Sequence, residues 1–343
     1  MTSIVLFFII SYQQVLAIYD PLSVPNNKFG IHILEPAEVE KASRFANSSG
    51  GEWGYVTIPI RANDRDLEKW TKFMTRAKEL KIIPILRIAS FPVDDHWMAP
   101  NEYDLLDFTN FLDQLPWPIK NRYVIIYNEP NHESEWGGFV DPKEYSNILG
   151  RAVDLFHEKN AGFFTISAGL DSSQPNVYEY YRQINLTAVD GLSFHTYGNP
   201  AFATAPNIYS RVNVASFRFE EKYLGVTKPI FLTEAGWKKP ADWFFPNAFT
   251  YAWNDDNIVA ITPFLLDGGN GPFTDFSFIK PNGEFEIFAQ TIMNMPKTAG
   301  RPLLAEVSIK SQESSLKITN FAQTINSYNI LDELFKLLRR IFG

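Results

Sequence analysis

From Asn27 onward the chain alternates eight times between a short apolar run rich in β-branched residues and a longer amphipathic stretch. That period constrains the fold more than any other feature. The runs fall at 28–34 (KFGIHIL), 54–60, 82–89, 123–129, 163–170, 191–197, 229–235 and 260–266. The stretch at 66–80 carries Leu67, Trp70, Phe73, Met74, Ala77 and Leu80 at helical spacing, which predicts one buried helix face. Further helices are expected at 37–47, 102–114, 142–159, 176–184, 207–223, 243–254 and 285–294. Strands alternating with helices form right-handed βαβ units around a parallel sheet, so the fold class is α/β. Eight units over roughly 270 residues suit the closed (β/α)8 TIM barrel, whose usual size is about 250 residues. An open doubly wound sheet would want a glycine-rich loop after the first strand, and Ile33-Leu34-Glu35-Pro36 offers none.

The two ends depart from this pattern. Residues 4–10 are an unbroken apolar run and 15–17 (VLA) suit a cleavage site, which reads as a signal peptide over 1–17. The run is too short to cross a bilayer, which takes ~20 apolar residues. The expected location is therefore secreted or cell surface. The barrel domain is expected over 18–298. A C-terminal extension, 299–343, ends in an amphipathic helix pattern at 330–342, with Leu331, Leu334, Phe335, Leu338 and Phe342 set against Lys336, Arg339 and Arg340. Packing against protein is the first reading of that helix, and weak contact with a membrane surface the second.

Composition removes several classes of function. A formal charge of −8 disfavours a nucleic-acid partner, which wants a basic face. With no cysteine there is no thiol nucleophile, disulfide or thiolate metal site. The five histidines, at 32, 96, 132, 157 and 195, form neither a His-x-His nor a His-Glu-x-x-His pair, so no metal is expected. Eight Trp, 15 Tyr and 29 Phe leave aromatics beyond the needs of a core.

In a closed barrel, chemistry sits where strands end and βα loops begin. Glu129 and Glu234 end strands four and seven; His32, Arg87, His195, Tyr197 and Asp267 also occupy that rim. A lone carboxylate buried at a strand end is costly unless paired or neutralised, so two in matching positions suggest a functional pair. Cleavage of a glycosidic bond uses such a pair.

Three strings carry a resemblance: Asn128-Glu129-Pro130, His195-Thr-Tyr197 and Thr233-Glu234-Ala-Gly-Trp237. Together they make residues 28–295 similar to the clan A glycoside hydrolases, barrel enzymes that include family-five cellulases and mannanases and family thirty-nine xylosidases. The resemblance implies a retaining hydrolase of a poly- or oligosaccharide that needs no cofactor. Glu129 would be acid and then base, Glu234 the nucleophile, with the carboxyl groups about 5–5.5 Å apart. It further implies that Asn128 binds the sugar 2-hydroxyl, that His195 touches substrate and that Tyr197 hydrogen-bonds Glu234. Adjacent strand residues face opposite ways, so a bulge or a break at Pro130 must turn Asn128 or Glu129 inward. One departure from the family stands out: Thr57 occupies the place of a strand-two arginine that keeps the nucleophile ionised. Arg87 is the favoured replacement and Arg61 the other. Sugars stack on aromatics, which makes Trp136 and Trp237 expected substrate platforms, with Trp97, Asn131 and His132 further rim candidates. A carbohydrate-binding barrel without turnover is the second reading, kept open by Thr57. A metal-dependent barrel hydrolase is the third.

Overall fold

The computed structural model describes residues 18–305. The leader read at 1–17 and the helix read at 330–342 lie outside the described residues. Eight parallel strands make the barrel: β1 (Gly30–His32), β2 (Gly54–Arg61), β3 (Ile82–Ala89), β4 (Arg122–Ile126), β5 (Phe163–Ile166), β6 (Leu192–Tyr197), β7 (Ile230–Gly236) and β8 (Ile258–Ile261). Continuous ladders join β1 through β5 and β6 through β8. Single parallel bridges, Ile166 to Gly191 and Phe29 to Ile261, close the circle. Each strand is followed by its helix: α1 (Val39–Ala46), α2 (Leu67–Glu79), α3 (Glu102–Asp113), α4 (Pro142–Lys159), α5 (Val177–Gln183), α6 (Ser216–Leu224), α7 (Phe244–Asn247) and α8 (Ile287–Met293). The eightfold alternation is thus realised as the (β/α)8 barrel.

Local chemistry sets the helix ends. Asp66 caps α2 by accepting from the Glu68 and Lys69 amides, and Trp70, Phe73, Met74 and Ala77 bury the face anticipated from their spacing. Asp141 caps α4, with Pro142 in the first turn. The expected helix at 207–223 starts only at Ser216. The Asn213 side chain instead donates to the Ala205 and Ile208 carbonyls, holding 205–213 in a non-helical turn. A two-stranded ribbon after β3, Pro92–Val93 against His96–Trp97, was not anticipated, because two-residue arms carry no period. Residues 299–305, assigned from sequence to the extension, run along the barrel instead, with bridges from Ala299 to Glu52 and from Leu304 to Ile119.

Alternation along the strands stacks the barrel interior in layers. Low in the barrel, Tyr55, Tyr123, Phe164 and Phe231 meet at ring separations of 5.0–6.3 Å. Two residues higher the layer becomes hydroxylic. Thr57 and Thr262 share a 2.8 Å hydrogen bond, Thr262 donates to the Thr233 carbonyl at 2.9 Å, and the Ser193 and Thr233 hydroxyls pair. This layer carries the charged mouth above it.

Candidate active site

Two local irregularities bring Glu129 and Glu234 into that mouth. On β7 the register with β6 jumps from Phe194–Leu232 to His195–Glu234, leaving Thr233 as an extra residue. Such a bulge re-aims the side chains around it. Thr233 keeps its hydroxyl inside the barrel while Glu234, one residue on, projects into the mouth. At β4 the strand stops at Ile126, and both Tyr127 (φ 66°) and Glu129 (φ 31°) adopt left-handed backbone. Each such residue costs about 1–3 kcal/mol and persists only where its surroundings enforce it. Here the Glu129 amide donates to the Gly169 carbonyl at 3.1 Å, and the Glu129 carbonyl accepts from His132 at 2.8 Å. Asn131 clamps the turn to the next loop through the Asp171 backbone, bonding its carbonyl and its amide at 3.1 Å each. The break expected at Pro130 therefore begins three residues earlier and lets both Asn128 and Glu129 face the cleft.

A dense network surrounds the pair. Tyr197 donates to Glu234 Oε2 at 2.6 Å, and Arg87 reaches Glu234 Oε1 at 2.5 Å. The same guanidinium nitrogen also donates to Asn128 Oδ1. On the other side, His195 Nδ1 sits 2.6 Å from Glu129 Oε1 and 3.7 Å from Glu234 Oε2. One oxygen of each glutamate and a His195 nitrogen all lie within 4.8 Å of one another.

The two carboxyl groups titrate in opposite directions. Burial pushes Glu129 up to about 7; His195 opposes this and the charge of Glu234 reinforces it. Burial also acts to raise Glu234. It is outweighed by the charges of His195 and Arg87 and by the Tyr197 hydroxyl, which hold that carboxyl down at about 2. His32 lies wholly buried 3.8 Å from Glu234, and burial together with the Arg87 charge keeps it neutral, down at about 3. The replacement for the missing arginine is thus Arg87. Arg61 instead lies 6.0 Å from the centre of the Trp97 ring, and Thr57 is spent on Thr262.

Several expected roles need correcting. Trp136 and Trp237 are 0% and 1% exposed, so neither can stack on a sugar. Their indole nitrogens donate to Glu144 and to the Thr204 carbonyl, and their rings pack among other aromatics. A tryptophan next to a catalytic-type motif is equally well placed to brace the loop behind it. His195 is 1% exposed and packs so tightly on Gly169 that a Cβ there would come within 2.2 Å of its ring. It contacts the two glutamates from behind, so it is not a substrate-touching wall residue. Asn131 is likewise buried in its clamp. Arg87, Asn128, Glu129, Tyr197 and Glu234 all line one cleft of about 350 Å³. Sequence reasoning had set Trp97 and His132 at this rim, and both line it. Phe202, Phe264, Phe273 and Phe276, which form one wall, were missed, as were Glu135 and Asp171. Phe264 falls in the run read as strand eight, which ends at Ile261 instead; the others sit on loops of no fixed period, where only the three phenylalanines at 273–278 give any signal. A larger hollow of about 650 Å³ flanks the other side of the 267–277 loop among Lys41, Lys239 and Glu286, away from the paired carboxyls.

The Glu129–His195–Glu234 cluster has ligand-type atoms close enough to hold a cation. Its donors are already engaged, however: His195 on Glu129, and Arg87 and Tyr197 on Glu234. An added cation would have to sit beside the Arg87 charge and displace these bonds, so the residues suit an internally paired site better than a metal centre.

No family model and no curated protein matches the chain. Solved structures share its fold. An endoglucanase from the hyperthermophilic Thermotoga maritima superposes with TM-score 0.56 at 12% identity, over 80% of this chain and 100% of that one. The catalytic domain of a mannanase from Streptomyces sp. SirexAA-E gives 0.54 at 13%, over 86% and 95%. A GH128 (subgroup II) endo-beta-1,3-glucanase from Sorangium cellulosum gives 0.50 at 14%, over 78% and 98%. At such identities the likeness establishes the barrel fold.

Proposed function

We propose that this chain is a retaining glycoside hydrolase that cleaves a β-glycosidic bond in a poly- or oligosaccharide. The observation that carries the reading is the pair of glutamates with one carboxyl oxygen of each within 4.8 Å of the other, held in opposite protonation states. That spacing suits direct attack, since inversion needs about 6.5–9.5 Å to admit a water. In the first step Glu234, ionised, attacks the anomeric carbon while protonated Glu129 gives its proton to the departing glycosidic oxygen. The products are a glycosyl ester on Glu234 and the released alcohol. Departure of its proton leaves Glu129 ionised, and esterification removes the Glu234 charge that reinforced burial in raising it, so Glu129 is now the carboxylate that takes a proton from water. The hydroxide so formed opens the ester and both carboxyl groups return to their starting states.

Other residues prepare these steps. Arg87 and Tyr197 keep Glu234 ionised and aimed. Arg87 also accepts no proton itself, so it leaves acid–base exchange to Glu129. Asn128, fixed through its oxygen by Arg87, keeps an amide hydrogen for the sugar 2-hydroxyl. His195 holds Glu129 in place from behind. The phenylalanine wall supplies an apolar surface for the C–H faces of the sugar. The turnover-free reading rests on Thr57, and the contact of Arg87 with Glu234 supports the hydrolase over it. Export through the leader read at 1–17 would place this activity outside the cell, where polysaccharide is met.

The test is incubation of the chain and its Glu234→Gln variant with a panel of β-linked glucans and mannans, which includes the β-1,3-glucan and β-mannan that the neighbours' names print. Release of product with retained anomeric configuration, and a glycosyl adduct on the peptide bearing Glu234, are expected. An inverted product would overturn the mechanism.

A further inference from the structure

We infer that Trp97, Arg61 and Glu135 form a second sugar subsite, which seats a neutral hexopyranosyl unit beside the one being cleaved. The inference rests on the hydrolase reading and adds to it the place where the neighbouring sugar is recognised.

The three residues come from the end of β2, the ribbon after β3 and the turn after β4, yet all three line one cleft. The ribbon that carries Trp97 is tied to the turn that carries Glu135, because the Gly137 amide donates to the Trp97 carbonyl at 2.8 Å. Gly137 has φ 69°, and a Cβ on it would come within 2.9 Å of Ala99. Only glycine allows this approach without strain. The other edge of the ribbon closes through the Met98 amide on the Phe91 carbonyl at 3.1 Å. Glu135 is oriented by Asn128, whose Nδ2 donates to its Oε2 at 3.2 Å, and its carboxyl is raised by burial against the opposing charge of Arg87. Trp97 is half-buried, with its ring lining the cleft and the Arg61 guanidinium above it.

Each part answers a feature of a pyranose. With Arg61 over one side of the ring, the other side of the half-buried indole is the flat face offered to axial C–H groups. Carboxylate oxygens accept from sugar hydroxyls, and a guanidinium donates to them. One cation and one anion on the same wall leave no net field to favour a uronate or an amino sugar. Phe264, Phe273 and Phe276, which also line the cleft, have no polar side-chain atom, so the hydrogen bonds that orient the second sugar fall to Arg61 and Glu135. Among the described residues the Trp97 side chain has no hydrogen bond to either reacting carboxyl, and its tie to the turn carrying Glu135 is the backbone bond from the Gly137 amide.

The experiment measures kcat and KM on β-1,3- and β-1,4-linked gluco- and manno-oligosaccharides of two to six units, for the wild type, Trp97→Ala, Trp97→Phe and Glu135→Gln. In the wild type kcat/KM climbs with length until the subsite is filled. Trp97→Ala is expected to flatten that climb by about tenfold, mainly through KM. Trp97→Phe, which keeps a ring and guards against a folding defect, should restore part of it. Glu135→Gln, which keeps an acceptor for Asn128, should show a smaller loss with the same dependence on length. Equal losses at every length, or none, would overturn the subsite while leaving the hydrolase standing. If the wild type turns over nothing, the hydrolase reading fails. The wall is then judged by titrating the same oligosaccharides into wild type and Trp97→Ala: binding lost in the variant keeps the subsite, and equal or absent binding removes it.

Discussion

Glu129 and Glu234 bring one oxygen each within 4.8 Å of the other from two corners of one mouth, and the charges and donors around them differ. The β7 corner is crowded with positive charge and donors: Arg87, Tyr197 and His195 all converge on Glu234, whose side chain is 8% exposed. The β4 corner gives Glu129 a single close partner, His195, and 17% exposure. Exposure alone therefore does not rank the two carboxyls. The more buried group is the more acidic, because hydrogen bonds and charge outweigh desolvation at one corner and fail to at the other. The backbone differs too. The β7 corner is a bulge inside a hydrogen-bonded sheet, whereas the β4 corner is a strained turn beyond the end of its strand.

Removing the group at the β7 corner is expected to have the largest effect. Glu234→Gln keeps the shape and the Tyr197 contact but deletes the nucleophile, and kcat should fall by roughly 10⁴–10⁶-fold, the range seen when a covalent catalyst is lost. Glu129→Gln should act less severely, about 10²–10⁴-fold, the usual reach of general acid–base catalysis. The two variants also separate by leaving group. Dinitrophenyl glycosides need no protonation to depart, so their first step should survive Glu129→Gln and not Glu234→Gln. A burst of dinitrophenol followed by slow turnover, accelerated by azide, is the expected trace. Equal loss of the burst in both variants would erase the distinction between the corners.

How far these corners could be read from sequence follows from the same contrast. The eight strands announce themselves as apolar runs because a barrel strand is buried on both faces, and within each run the inward face recurs with a period of two residues. That period extends correctly from Tyr55 through Thr57, or from Ile83 through Ile85 to Arg87. It even indicates that Asn128 and Glu129 cannot both face inward from regular backbone. It fails where hydrogen bonding rather than hydrophobicity decides the geometry. Nothing in Leu232-Thr233-Glu234 signals that Thr233 bulges, because its cause lies in Ser193 and Thr262 on neighbouring strands. The burial of Trp136 and Trp237 was hidden for a related reason: a loop tryptophan is a platform or a brace according to which partner reaches its indole nitrogen, and those partners are Glu144 and Thr204. Arg87 was legible as the surrogate cation because a charge among isoleucines on β3 has few other partners to find.

The next largest effect comes from Arg87. Breaking a buried ion pair from one side costs about 3–5 kcal/mol, because the partner is left uncompensated. Arg87→Met should therefore depress kcat/KM strongly and shift its pH profile in a defined direction. In the wild type, activity needs Glu234 ionised, above about 2, and Glu129 protonated, below about 7. The profile should be a broad plateau that falls as pH rises through about 7. Without the guanidinium, Glu234 loses a charge that favours its anion, so the acidic limb should move upward into the measurable range. A variant whose acidic limb stays in place would assign the acidity of Glu234 to His195 and Tyr197 alone.

The smallest effect reaches the β7 corner from beneath, without touching either carboxyl group. Thr262 donates to the Thr233 carbonyl at 2.9 Å and shares a hydrogen bond with Thr57, so it supports the bulge that turns Glu234 into the cleft. Thr262→Val keeps the side-chain shape and strands two buried polar partners, a change worth about 1–3 kcal/mol of stability. A matching fall in the denaturant midpoint at unchanged m-value is the expected readout. If the bulge is what aims Glu234, the first, glycosylating step should slow as well, while azide reactivation of the Glu129→Gln glycosyl-enzyme should keep its rate. The β4 corner is held by Asn131 and the loop after β5 and has no bond to Thr262, so Glu129 should keep its titration in the variant. A shift in the basic limb of the Thr262→Val profile would mean that the two corners move as one body through the hydroxyl layer, and that their different surroundings are set jointly rather than strand by strand.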